Sequence, residues 1–384
     1  MVGAIAPQDW IRYRMTGPSA TSDGAALASA TDKLVYADIE PPEPGRIVPV
    51  GNGVHWLRMS LLGELNHINL WLIEHDDGFV AVDTGMSTSE GREIWESLCE
   101  SVLKDRPLKL IVVTHLHPDH IGLAAWLQER FGGVPVWTSR KSEEQIRDLL
   151  TDLPKEEAAK RMAFLMSHGI ENTPELASMF AGEKYRGIVS GVPTVERHPQ
   201  DGDEAVWGGV RWRFLEVAGH AAGHLCLHAP ELRVLISGDQ VLPTISPNVS
   251  LHETTIDANP LSSYLGSLER LAQLDAQTLV LPSHGRLFYG LRPRALDIRA
   301  HHLEQLEKLR VACAQPVTAE DAVRVMFART LRGFHRFLAI GEAVAHLEYL
   351  AAVGKVNRCV GEDGRVHFVA ESAQAASDVR LLAH

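Results

Sequence analysis

The segment Thr114-His115-Leu116-His117-Pro118-Asp119-His120 constrains this chain more than any other. It follows LKLIVV at 108–113, a short apolar run that reads as a buried strand. It precedes Pro118 to Phe131, which reads as a helix with proline in its first turn, where proline is tolerated. Four potential ligand side chains therefore fall in one strand-to-helix loop. A metal ion needs several nitrogen or oxygen donors at about 2.0–2.2 Å, and a loop wraps successive side chains around a point more readily than a regular element does. His115 and His117 extend the same way off the strand end, while the start of the helix turns Asp119 and His120 toward a second point. No amphipathic face explains so many ligating types together, so one loop is predicted to serve two ions.

Three further loops agree in kind. Ala218-Gly219-His220 closes a strand at 210–217, Ser237-Gly238-Asp239 closes RVLIS, and Pro282-Ser283-His284-Gly285 closes TLVLP. In α/β sheets the loops at strand carboxyl ends line the functional crevice, so these ligands are expected to meet on one edge. The predicted metal set is His115, His117, Asp119, His120, His220, Asp239 and His284.

The rest of the chain supplies a scaffold. Residues 1–45, rich in Ala, Ser and Pro, read as an N-terminal arm, and 46–315 as the catalytic domain. VHWLRMSLL and HINLWLIEHDDGFVAVDTG give two strands around an Asp76-Asp77-Gly78 turn, and residues 88–104 look helical. Residues 139–187 form a helical insert with an apolar set, Met162, Phe164, Met166, Met179 and Phe180, suited to a lid over a bulky, partly apolar small-molecule substrate. Strands follow at about 210–217, 223–229 and 232–237, then helices at about 260–274 and 293–313. After Pro316 come helices at about 318–330 and 340–353 and a hairpin around Glu362-Asp363-Gly364, a small winged-helix-like unit over 316–384.

In this order, VDTG, THLHPDH, GHAAGH, SGDQ and PSHG resemble the motif set of the metallo-β-lactamase superfamily, from about residue 50 to 290. The resemblance implies an α/β fold, the αββα sandwich, and a metal-dependent hydrolase. It implies that His115, His117 and His220 bind one divalent ion, that Asp119, His120 and His284 bind another, and that Asp239 bridges them. Zinc is the first expectation, with iron or manganese as alternatives. Asp83 of VDTG is expected to orient the first loop, and His224 to hydrogen-bond in the interior behind the ligands. Aspartate rather than cysteine at 239 departs from the antibiotic-degrading branch and is similar to the glyoxalase II-type branch. Water shared by two such ions is acidified toward neutrality, so Asp119 and Asp239, with the ions, are the implied catalytic groups for cleaving an ester, thioester, lactone or related bond.

Rival readings are a mononuclear iron oxygenase resembling the persulfide dioxygenases and a nuclease acting through the C-terminal unit. A net charge of −12 disfavours polyanion binding. Asp239 and His284 lie only 45 residues apart, which leaves no room for the domain that the RNA-cleaving branch inserts there. Arg324, Arg329, Arg332 and Arg336 read as a solvated helix face. No apolar run approaches the roughly 20 residues of a membrane span, and no secretory signal is visible, so the cytoplasm is expected. Four dispersed cysteines form no CxxC pair. His301, His302 and Asn248 have no partners nameable from sequence, and the oligomeric state has no sequence signature.

Overall fold

The structure is a computed structural model that describes residues 33–61, 65–151, 155–171, 173, 183–251 and 259–370. A short strand, β1 (Val35–Tyr36), is followed by β2 (Ile47–Gly51), β3 (Val54–Ser60), β4 (His67–His75), β5 (Gly78–Val82), β6 (Leu108–Val112), β7 (Val136–Trp137) and β8 (Val195–Arg197). Strands β2 to β8 lie side by side in sequence order as one seven-stranded sheet. Next come β9 (Glu204–Trp207), β10 (Val210–Val217), β11 (His224–Ala229), β12 (Val234–Gly238), β13 (Leu279–Pro282) and β14 (Phe288–Tyr289). With β1 they build the second sheet, ordered β1-β14-β13-β12-β11-β10-β9.

Alternation along the strands shows how the layers stack. On β4, Trp71 and Ile73 join Val80, Val112, Phe214, Leu227 and Ile236 in the core between the sheets. Leu70 and Leu72 face the other way, onto Trp95 and Leu98 of the helix Ser89–Glu100 and Leu127 of the helix Ala124–Arg130. Covered on both faces, β4 reads as an unbroken apolar run, as doubly buried strands do. On the second sheet, Cys226, Leu235 and Val280 face the helices Pro260–Leu271, Leu291–Ala312 and Gly333–Ala352. The architecture is the expected αββα sandwich.

Helix ends depart from expectation in places, the one expected at about 340–353 beginning at Gly333 and that at 318–330 ending at Met326, and one helix is broken. Pro118 to Phe131 is two pieces, Pro118–Ile121 and Ala124–Arg130. Tertiary packing makes the break: a Cβ on Gly122 would overlap the Pro118 and Gly85 carbonyl oxygens, and the Leu123 amide donates to Gly85 O (3.1 Å) and Thr84 Oγ1 (3.2 Å). The insert contains the helices Arg140–Leu150, Lys155–Ser167 and Glu183–Arg186. No helix among the described residues is long and apolar enough to cross a membrane.

The C-terminal region comprises Ala319–Met326, Gly333–Ala352 and the hairpin β15 (Asn357–Val360) and β16 (Val366–Val369). A capping box at Thr318 and Asp321 starts its first helix. Val317 and Phe368 exchange backbone hydrogen bonds, and Phe368 is buried in the same apolar cluster as Leu268 and Val280. This region therefore shares its core with the catalytic sheet. Phe368→Ala is expected to cost about 3–5 kcal/mol, and calorimetry should show one transition for the chain. A separate early transition for the residues after 316 would contradict the shared core.

Candidate metal centre

Strands β5 and β6 are parallel, as are β12 and β13, and β10 runs the same way as β12 because each is antiparallel to β11. Asp83, the Thr114–His120 loop, His220, Asp239 and His284 consequently all leave strand carboxyl ends on one edge of the sandwich. Two glycines make the approach possible. Gly219 (φ +112°) lies against Tyr264, where a Cβ would collide with that residue's backbone, and a Cβ on Gly238 (φ +52°) would overlap the His224 imidazole.

Two donor groups result: His115, His117, His220 and Asp239, and Asp119, His120 and His284. In the first, His115 Nε2 is 2.9 Å from His117 Nδ1 and 3.3 Å from His220 Nε2, and His220 Nε2 is 3.1 Å from His117 Nδ1. Asp239 Oδ2 faces this group at 3.4 Å from His220 Nε2 and 4.0 Å from His115 Nε2. Asp239 Oδ1 faces the second group, 3.5 Å from His120 Nε2 and 3.4 Å from His284 Nε2. Asp119 Oδ2 completes that group, 3.6 Å from His120 Nε2 and 3.4 Å from His284 Nε2.

These separations match the edges of a tetrahedron around one ion with bonds of about 2.1 Å, roughly 3.4 Å. His120 Nε2, His284 Nε2 and Asp239 Oδ1 are buried and lack a hydrogen-bond partner, a cost that a cation held between them removes. Electrostatics agree. Burial opposes charge on His120 and His284, yet the Asp239 and Asp119 carboxylates outweigh it, holding His120 well above the ordinary imidazole range and His284 up at about 10. His117, buried beside His220, falls to about 3, and His115 is likewise lowered, so these two imidazoles are neutral and able to ligate.

The non-ligating nitrogens are held from behind, as metal-bound imidazoles require. Asp83 Oδ2 accepts from His120 Nδ1 (2.7 Å), and the same carboxylate accepts from the Thr114 amide and hydroxyl. Thr114 Oγ1 lies 3.0 Å from His115 Nδ1. His220 Nδ1 donates to Asn248 O and His284 Nδ1 to His67 O, both at 2.8 Å. His224 is fully buried and accepts from the Asp239 amide at 3.1 Å.

A profile described as the Metallo-beta-lactamase superfamily matches residues 63–284. The chain belongs to the metallo-β-lactamase superfamily. A second profile, Metallo-beta-lactamase-like, C-terminal domain, matches residues 306–371. A crystallised beta-lactamase domain protein from Burkholderia ambifaria is 38% identical, with a TM-score of 0.80 over 88% of this chain and 98% of its own. Human acyl-coenzyme A thioesterase MBLAC2 is 27% identical over 62% of this chain and 80% of the relative. A linear primary-alkylsulfatase from Pseudomonas is 26% identical over 57% of this chain, which spans 42% of that relative's length. The chain is a metallo-hydrolase of this superfamily.

Some supporting residues carry no motif. His67 Nε2 accepts from the Gly285 amide at 2.8 Å, Asn69 Nδ2 donates to Pro282 O at 2.8 Å, and Arg58 Nη2 donates to Gly285 O at 3.0 Å. The first sheet thereby grips the loop bearing His284. From the insert, Tyr185 donates its hydroxyl to Leu116 O at 2.6 Å, inside the metal loop. Met162 and Phe164 pack half-buried on the apolar cluster of the second sheet, Met166 is 49% exposed, and Met179 and Phe180 lie outside the described residues. Arg324 and Arg336 pair with Asp321 and Glu320 of their own region.

Asp83→Asn is expected to weaken metal affinity by about 10–100-fold with the fold retained, readable by competition with a chromophoric chelator. Loading metal into the metal-free chain at pH 8 should release protons, among them the one held on His284, whose imidazole is raised to about 10. Affinity must then fall as the pH falls. Calorimetry in buffers of different ionisation enthalpy measures the release, and none at pH 8 would contradict the charge balance.

Proposed function

We propose that this chain is a dinuclear hydrolase, with zinc as its resident metal, that cleaves a carboxylic ester or thioester of a small molecule. One observation carries the reading: the two oxygens of Asp239 face two separate donor groups. Bound divalent ions would supply an acidified water and Lewis-acid stabilisation of the developing oxyanion. The residues do the rest. Asp239 fixes the spacing of the groups, and the half-buried Asp119, its carboxyl lowered to about 2 because His120 and His284 outweigh its burial, stays ionised as a donor of the second group and an acceptor for a hydrogen bond from the attacking water.

An acyl-CoA thioesterase among the relatives supports an acyl centre, and an alkylsulfatase supports a substrate with an alkyl portion. The mononuclear iron oxygenase reading shares this motif set, and metal content together with oxygen consumption separates the two.

At saturation the catalytic centre should carry about two zinc ions, and the chain should turn over acyl-CoA thioesters or activated esters. Asp239→Ala should lose at least one ion and most turnover while remaining folded. One iron per chain with oxygen consumption would overturn the proposal. The insert is read as the wall for the apolar portion, supported by its contact with Leu116 through Tyr185. Phe164→Ala should then reduce the rate with long acyl chains relative to short ones by about tenfold. A lowered thermal midpoint with an unchanged ratio would remove the insert from substrate binding.

A further inference from the structure

Outside the centre just described, the described residues bring together one more set of ligating side chains. His302 lies on the helix Leu291–Ala312, and Glu342 and His346 lie one turn apart on Gly333–Ala352. Their donor atoms all lie within 4.8 Å of one another. The widest pair on one ion with bonds of about 2.2 Å spans roughly 4.4 Å, so the set is at the scale of a single ion and closes with a small side-chain movement.

The two imidazoles are fully buried, and His302 Nδ1 is 3.1 Å from His346 Nε2, close to a tetrahedral edge. Each ring has an oxygen at its other nitrogen: Ser246 Oγ lies 3.0 Å from His302 Nε2, and His346 Nδ1 donates to Glu342 O at 2.8 Å. That is the arrangement that orients metal-bound imidazoles. Burial lowers His302 to about 3 and His346 to about 4, so both are neutral and able to ligate. Burial drives the Glu342 carboxyl up to about 7, and its partner among the described residues is the neutral amide of Asn248 (3.1 Å). A buried carboxylate beside two neutral imidazoles lacks the counter-charge that a cation supplies.

We propose that His302, Glu342 and His346 form a structural divalent-cation site, separate from the catalytic centre, that ties the C-terminal helix to the catalytic domain. Two imidazoles and a carboxylate favour Zn²⁺ over Mg²⁺ or Ca²⁺. Without an ion, the same atoms form a hydrogen-bond chain in which His302 carries its proton on Nδ1 and donates to His346. With an ion, the proton sits on Nε2 facing Ser246. The tautomer of His302 therefore distinguishes the two states.

The full-length chain is stripped with a chelator, reloaded with Zn²⁺ and assayed for metal by mass spectrometry. His346→Gln and Glu342→Gln are each expected to hold about one ion fewer per chain than the parent. Because Glu342 holds Asn248, whose carbonyl orients His220, the count is repeated in the His115→Ala, Asp239→Ala chain, where parent and variants should still differ by about one ion. Should a variant fail to fold, ¹⁵N shifts of the imidazoles decide in a chain whose catalytic centre is emptied by His115→Ala and Asp239→Ala. Zn²⁺ should then move His302 to the Nε2–H tautomer with Nδ1 metal-bound. Parental metal content in both folded variants, or a His302 that stays Nδ1–H through the titration, overturns the proposal.

Discussion

The structure turns on the concentration of Asp83, Asp119 and Asp239 against five imidazoles at one edge of the sandwich. Carboxylates are not held in such an interior unless positive charge and hydrogen-bond donors surround them. Asp83 is satisfied by Thr114 and His120, whereas Asp239 Oδ1 faces His120 Nε2 and His284 Nε2 with none of the three hydrogen-bonded. The fold is arranged to sustain that unfinished group. Each ligand leaves a strand end, and backbone carbonyls and carboxylates fix its ring from behind.

The convergence of the candidate donors was legible because a metal donor is a property of a residue type in a loop, and loops following buried strands can be read from apolar runs. Its supports were not. The groups that orient His220 and His284 are the carbonyls of Asn248 and His67, and any residue has a carbonyl. The interruption of the helix at Gly122 was hidden for a related reason: a single glycine only weakens a helix, and the contact that completes the break is with Gly85, 37 residues earlier. Strands β8 and β9 are three- and four-residue edge elements, too short to carry a periodic signal. For the insert, composition marked Met162 and Phe164 as apolar but could not say which surface they face, and they pack on the cluster beneath the second sheet.

The C-terminal region shows the same limit at larger scale. Its two helices and hairpin were visible from periodicity and turn residues, and they suggested an appended unit with its own small core. In the fold, Val344, Leu347 and Phe368 join the cluster that covers Cys226, Leu235 and Val280. A region of this size buries too little apolar surface to stand securely alone. Resting on the outer face of the second sheet, it completes the fourth layer of the sandwich.

That placement gives the C-terminal helix a connection to the chemistry that needs no contact with substrate. Leu338 O accepts from Ser250 Oγ (3.2 Å), Glu342 accepts from Asn248 Nδ2, and Ser250 Oγ also donates to Asn248 Oδ1 (2.6 Å). The loop carrying Asn248 is therefore held by side-chain bonds to this helix, and the carbonyl of the same Asn248 accepts from His220 Nδ1. The orientation of one metal ligand thus depends on how firmly the helix is seated. A shift of the helix would turn the His220 ring, and with it a donor that sits 3.1 Å from His117 and 3.4 Å from Asp239, away from the point where these groups converge. The donors of the catalytic centre all precede residue 290, yet the rigidity that makes them a site is shared with the last helix among the described residues.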